Sequence, residues 1–165
     1  MSPILVSACL LGINVRFDGG HNADPRLIAA AAGGLMIPVC PEQLGGLTTP
    51  RPPAELQLGD GNAVLRGIAR VITRCGRDVT TQFLAGAQEV CRFARFHRAT
   101  AAILKERSPS CGCFQIYDGS FSGQRRPGPG VATALLQAQG IAIYSEEVLN
   151  DALLRQLLEA AAPPA

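Results

Sequence analysis

Four short apolar runs punctuate the chain: "PILVSA" (Pro3–Ala8), "GLMIPV" (Gly34–Val39), "TAAIL" (Thr100–Leu104) and "IAIYS" (Ile141–Ser145). None alternates cleanly between polar and apolar positions, so each predicts a strand buried on both faces of a parallel sheet. Between them, hydrophobic residues recur at helical spacing. "DVTTQFLAGAQEVCRFARFHR" places Val79, Phe83, Leu84, Ala87, Val90, Cys91 and Ala94 on one face at steps of three and four. "DPRLIAAAAG" carries its own start and stop, with Asp24 as N-cap, Pro25 in the first turn and Gly33 past the end. "GVATALLQAQG" and "EEVLNDALLRQLLEAAA" predict two further helices, and residues 160–165 a frayed tail.

The segment "PRPPAELQLGDGNAVLRGIARVITRCGR" breaks this rhythm. Its prolines predict an extended loop, and Gly59 to Gly61 the turn of a small peripheral hairpin. Strands alternating with helices imply an α/β fold: a three-layer, Rossmann-like domain over residues 1–165, with a mostly parallel sheet and right-handed crossovers. In such sheets ligands bind beyond the carboxyl ends of the strands, near a switch in strand order.

Composition narrows the classes. Hydrophobic residues at 47% and charged residues at 17% exclude a disordered chain, and a net charge of +2 gives no reason to expect a nucleic-acid polymer or an anionic membrane. The absence of Trp argues against a base-stacking platform. No apolar run reaches the roughly 18 residues of a membrane span, and the opening stretch lacks the basic region of a secretory signal. The chain therefore reads as cytoplasmic, where six cysteines suggest metal or catalysis more than disulfides.

Cys9 follows the first predicted strand, Cys40 follows the second, and Cys111 lies in the turn after the third. Parallel strands would deliver all three thiols to one edge, and strands about 4.8 Å apart would let them meet around one cofactor. Thiolates suit zinc, Cu(I) or an iron–sulfur cluster. A closed zinc site usually uses four ligands in C-x-x-C pairs, whereas Cys111 and Cys113 form C-x-C. A cubane cluster normally takes four cysteines, so three leave one iron open to a substrate atom. Spacing leaves these options open.

Glu42, in "CPE", is a candidate general acid and base, or an ion-pairing or capping carboxylate. Ser108 and Ser110 flank Pro109 in "KERSPSCGC", where either can bond a ligand or cap the turn. Cys91 reads as core, Cys75 as incidental and Cys113 as pointing elsewhere. His97 reads as a helix-end residue and His21 as a loop residue that can line a pocket. "RRPGPGVATALL" leads into a helix whose N-terminus suits an anion or a polar ligand edge, without the Lys and Ser/Thr of a Walker loop. Lys105, Glu106 and Arg107 have no task beyond ion pairing.

Taken together, "VSACLLG", "DGGHN", "CPEQLGGLTTPRPPAE", "GRDVTTQFLAGA", "ILKERSPSCG", "IYDGSFSG", "GPGVATALL" and "YSEE" resemble, in the same order, a bacterial family long catalogued as domain of unknown function 523. That family includes the thiouracil desulfidases, and the resemblance spans about residues 3–147. It implies a 4Fe–4S cluster held by Cys9, Cys40 and Cys111, with one open iron to take the sulfur of a thiolated pyrimidine. It also implies that Glu42 is the acid/base and Ser108 the assisting serine. Two departures are Val15, where some members carry another cysteine, and Cys113. The expected activity is non-redox desulfuration of a small thiolated pyrimidine such as 2-thiouracil, by a monomer or homodimer. Its rivals are a sulfur carrier, an electron carrier and a zinc-bound structural module.

Overall fold

A computed structural model of the chain describes residues 2–163. Strand β1 (Ile4–Ser7) ends in a 3-10 turn (Ala8–Leu11), followed by α1 (Pro25–Ala31), β2 (Met36–Val39) and α2 (Pro41–Leu44). A peripheral unit comes next: β3 (Ala54–Gln57), α3 (Gly61–Leu65) and β4 (Arg70–Thr73). The long α4 (Thr80–His97) leads to β5 (Ala101–Leu104), then to the short strands β6 (Gln115–Tyr117) and β7 (Arg125–Pro127). The chain closes with α5 (Val131–Ala138), β8 (Ala142–Ser145) and α6 (Asp151–Ala161).

The four predicted strands form one sheet in the order β2-β1-β5-β8, and every pairing is parallel. Burial on both faces explains why none alternates. Ile4, Val6 and Ile103 face a cluster with Leu27 of α1 and Leu154 and Leu157 of α6. Leu5, Ala102 and Leu104 face the opposite cluster, with Val90, Cys91 and Ala94 of α4 and Leu136 of α5. The chain passes from β1 to β2 on one side, then returns across the sheet to β5 on the other side of β1. The switch in strand order therefore falls at β1, the strand that carries Cys9 at its end.

The α1 signals act as the sequence indicated: Pro25 opens the helix and the Asp24 carboxylate accepts from Arg26 N at 2.9 Å. The expected peripheral hairpin is present, with β3 and β4 antiparallel, but its connection differs. Gly59 to Gly61 is no tight turn; Asp60 caps α3, accepting from Ala63 N at 3.0 Å, and the helix sits between antiparallel β3 and β4. Ala63 and Val64 of that helix pack in a third cluster with Leu56, Val71 and Phe83. The β6–β7 hairpin was not expected, because three-residue strands are too short to show a period. Helix α6 continues through Ala160 and Ala161, where Ala161 is buried and its carbonyl accepts from Ser2 N. Of the expected tail, Pro164 and Ala165 lie outside the described residues. No helix among the described residues is long and apolar enough to cross a membrane.

Candidate metal centre and its acid/base

The carboxyl ends of β2, β1 and β5 lie side by side, with Ser7 in register with Val39 and Val6 with Ile103. The chain leaves β1 directly into the 3-10 turn that holds Cys9, and leaves β2 into α2, whose N-cap is Cys40. After β5 it runs into the turn that contains Cys111. Cys9 and Cys111 are buried, Cys40 is half-buried, and all three thiols are free.

Burial pushes the Cys9 thiol up; the Asn22 side chain opposes this and the neighbouring Cys40 adds to it. Burial likewise raises Cys40, with a backbone N–H from Gln43 opposing. Cys111 is raised well above the ordinary thiol value by burial, against a hydrogen bond from the Ser7 hydroxyl, and the charges of Cys40 and Cys9 push it further. The three thiols thus sense one another. Such a set is inert without a cation, and metal coordination deprotonates a thiol outright. Among the described residues, no three His, Cys, Asp or Glu side chains converge closely enough for a single metal ion. A cubane asks for wider spacing, because several metal and sulfide atoms lie between its ligands. Three soft donors, mutually coupled but not converged on a point, fit an iron–sulfur cluster better than one zinc ion.

Glu42, on α2, lies beside this set: its charge raises both Cys40 and Cys111. Its Oε2 accepts from Arg51 Nε at 2.6 Å, and its Oε1 accepts from the Ser110 hydroxyl at 3.3 Å. Ser108 stands differently. Its Oγ accepts from Ser110 N at 3.2 Å and Cys111 N at 3.1 Å, so it caps the turn that presents Cys111. With both acceptor sites engaged, the Ser108 hydroxyl keeps its proton for donation.

The turn itself is locked from two sides. The N-terminus of α5 donates to it: Val131 N to Pro109 O at 2.9 Å, Ala132 N to Ser110 O at 2.9 Å and Gly130 N to Gly112 O at 2.8 Å. Thr133 Oγ1 donates to Cys111 O at 2.9 Å. The Gly-rich lead into α5 therefore docks the cysteine turn and does not await an anion. Gly130 is required there, since a Cβ would stand 2.5 Å from the Ser110 carbonyl carbon. From the other side, Glu106 Oε1 accepts from the N–H groups of Cys113, Phe114 and Gln115 at 2.9–3.1 Å. Burial opposes ionisation of Glu106, but these N–H groups and the Ser145 hydroxyl outweigh it and hold the carboxyl below its usual range. Lys105 pairs with Glu146, and Arg107 Nη2 with Glu147 Oε1 at 2.5 Å. The "KER" and "SEE" segments thus join the ends of β5 and β8.

The remaining candidates fall outside the centre. Cys91 is buried in the α4 core, and Cys113 points back toward the carbonyls of Leu104 and Cys111 at 3.9 and 3.6 Å. Cys75 is exposed, and His21 accepts from Ala23 N in the loop. His97 sits at the end of α4 against Phe93 and Phe96. Sequence reasoning missed Arg51, Ser7 and Asn22. Arg51 is nine positions from Glu42 across a loop with no period, and the other two are small polar residues whose type alone points to no chemistry.

A sequence model of the family described as 2-thiouracil desulfurase matches residues 4–148. YbbK, an uncharacterised protein of Bacillus subtilis strain 168, is 45% identical over 150 residues, covering 91% of this chain and 99% of its own. Among solved structures, the 4Fe–4S-dependent thiouracil desulfidase TudS aligns at a TM-score of 0.82 with 42% identity, over 95% of this chain and 99% of that one.

Proposed function

The chain belongs to the 2-thiouracil desulfurase family, and we propose that it is an iron–sulfur-dependent desulfidase that exchanges the sulfur of a thiolated pyrimidine for oxygen. The observation that supports this most directly is the meeting of Cys9, Cys40 and Cys111 at three adjacent strand ends with Glu42 beside them. Those three cysteines would hold the 4Fe–4S cluster. When bound, it supplies a soft iron with an open position, a Lewis acid matched to a thiocarbonyl sulfur.

The residues of the chain do the rest. Overall, a C=S carbon and one water become a C=O carbon and hydrogen sulfide, so no electrons are transferred. Glu42 Oε1 takes a proton from the attacking water and returns it to the departing side, the double duty of a general base and acid. Oε2, tied to Arg51, stays in place. The Ser108 O–H donates to the pyrimidine ring and orients it, while its Oγ keeps Cys111 in position. Burial of Cys9 and Cys111 keeps the centre water-poor, which strengthens each of these contacts. The partner is thus a small thiolated pyrimidine, and the thiol-rich centre suits a reducing cytoplasm.

Anaerobic purification with iron, sulfide and zinc analysis, on wild type and Cys111→Ala, tests this together with sulfide release from 2-thiouracil. The expected result is an iron–sulfur cluster lost in the variant, and turnover that follows the iron. Oxo-pyrimidine formed without free sulfide, with the sulfur held on the protein at the sulfide level for an acceptor nucleobase, would indicate a sulfur carrier instead. Zinc in place of iron would overturn the proposal.

A further inference from the structure

Arg51 is a buried charge to which the sequence assigns no role, and it carries an unusual number of obligations. Its side chain is only 6% exposed, and Nε donates to Glu42 Oε2 at 2.6 Å. Nη1 donates to Thr48 O at 3.2 Å and Thr49 Oγ1 at 2.9 Å, and Nη2 to Val15 O at 2.9 Å. Its backbone N–H donates to Phe17 O at 2.8 Å. One residue therefore ties together α2, the 48–49 loop and the 15–17 loop. Val15 O also lies 3.9 Å from Cys40 Sγ, so the tied loop closes over that thiol.

We propose that Arg51 is a positioning residue for the desulfuration: it anchors Glu42 Oε2 so that Oε1 alone faces the reaction, and it fastens the 15–17 loop across Cys40. The proposal rests on the desulfidase function of this site. The chemistry of the fork explains why arginine stands here. A guanidinium offers five N–H groups in one plane, so four bonds in three directions fix the orientation of the carboxylate as well as its distance. A lysine ammonium is a point charge on a flexible stem and cannot span the same acceptors. Arg51 also forms part of the wall of a cavity of ≈ 190 Å³, whose lining includes Glu42, Thr48, Cys75, Arg77 and Gln82. The guanidinium thus stands between two sides, with the cavity on one and the Val15 carbonyl that meets Cys40 Sγ on the other.

The test uses Arg51→Lys and Arg51→Ala. Iron and sulfide content are measured anaerobically, kcat and KM with 2-thiouracil, and amide hydrogen exchange of residues 13–18 in the cluster-free protein. Arg51→Lys should keep its iron and bind substrate with little change in KM. Its kcat should fall about a hundredfold, the scale expected when a catalytic group is misplaced by about 1 Å. Exchange at residues 13–18 should quicken in both variants. Added guanidinium should restore part of kcat in Arg51→Ala in proportion to its concentration, and methylammonium should not. Unchanged kcat in Arg51→Lys would overturn the proposal. So would loss of iron in that variant, which would make Arg51 a general support of the fold. A wild-type protein that carries the cluster but leaves 2-thiouracil untouched would refute the desulfidase function. The exchange measurement would still decide the tie, and unaltered protection would refute it.

Discussion

Two serines two positions apart illustrate what a residue's neighbours decide. Ser108 and Ser110 are interchangeable in "SPSCG" as a sequence, but Ser108 accepts two backbone N–H groups while Ser110 donates to Glu42. Replacing Ser108 by alanine leaves the N–H groups of Ser110 and Cys111 without an acceptor, and each unsatisfied donor costs about 1–3 kcal/mol. Ser108→Ala should therefore lower both the melting temperature of the cluster-free protein and kcat. Ser110→Ala should lower kcat with a smaller shift in melting. Calorimetry and sulfide-release kinetics on the two variants check this, and equal melting shifts would refute it. Cys9 and Cys40 were legible because a thiol just past a strand has its place set by that strand, whereas Cys111, seven residues beyond β5, owes its place to the turn that α5 and Glu106 lock. Arg51 was not legible, because its partners on Glu42, Thr48, Thr49 and Val15 are brought together by loops that carry no period.

At the scale of elements, the site depends on how closely α2 approaches α4. A Cβ built at Gly86 would stand 1.8 Å from Pro41 O, and one at Gly45 would stand 2.0 Å from Gln82 O. The two helices thus cross backbone against backbone, and α2 carries Cys40 at its N-cap and Glu42 in its first turn. Gly86→Ala must move α2 outward, an overpacking that costs about 1–3 kcal/mol. Because the shift acts together on Cys40 and Glu42, the ligand and acid/base proposed above, iron content and kcat should both fall. Gly33→Ala is the control, since its Cβ would meet only Ala30 O at an ordinary 3.4 Å. Iron analysis of the two purified variants reads the difference, and retained iron and activity in Gly86→Ala would sink the argument. The strands and long helices were legible from burial on two faces and from helical spacing. The α5 N-terminus, which the sequence suits to an anion or a polar ligand edge, has another use for a physical reason. Its free N–H groups look the same in sequence whether they meet a ligand or, as here, the carbonyls of Pro109 and Ser110.

For the whole molecule, the strand order makes the centre possible and also makes it dispensable for folding. The switch at β1 sets three strand ends side by side, so thiols separated by about a hundred residues of chain need only a turn each to meet. The support beneath them is independent of any metal. Ile4, Val6 and Ile103 pack with α1 and α6 on one face, while Leu5, Ala102 and Leu104 pack with α4 and α5 on the other. A chain of 165 residues buries roughly 70% of its unfolded surface, whereas a zinc finger is too small to fold without its ion. The cluster-free protein, and Cys111→Ala with it, should therefore keep the far-ultraviolet circular dichroism of the loaded protein and melt cooperatively. Loading should raise the melting temperature, because a ligand bound only by the folded state stabilises that state. Measured side by side under anaerobic conditions, a cluster-free protein without cooperative melting would show that the cluster organises the sheet edge rather than occupying one already built.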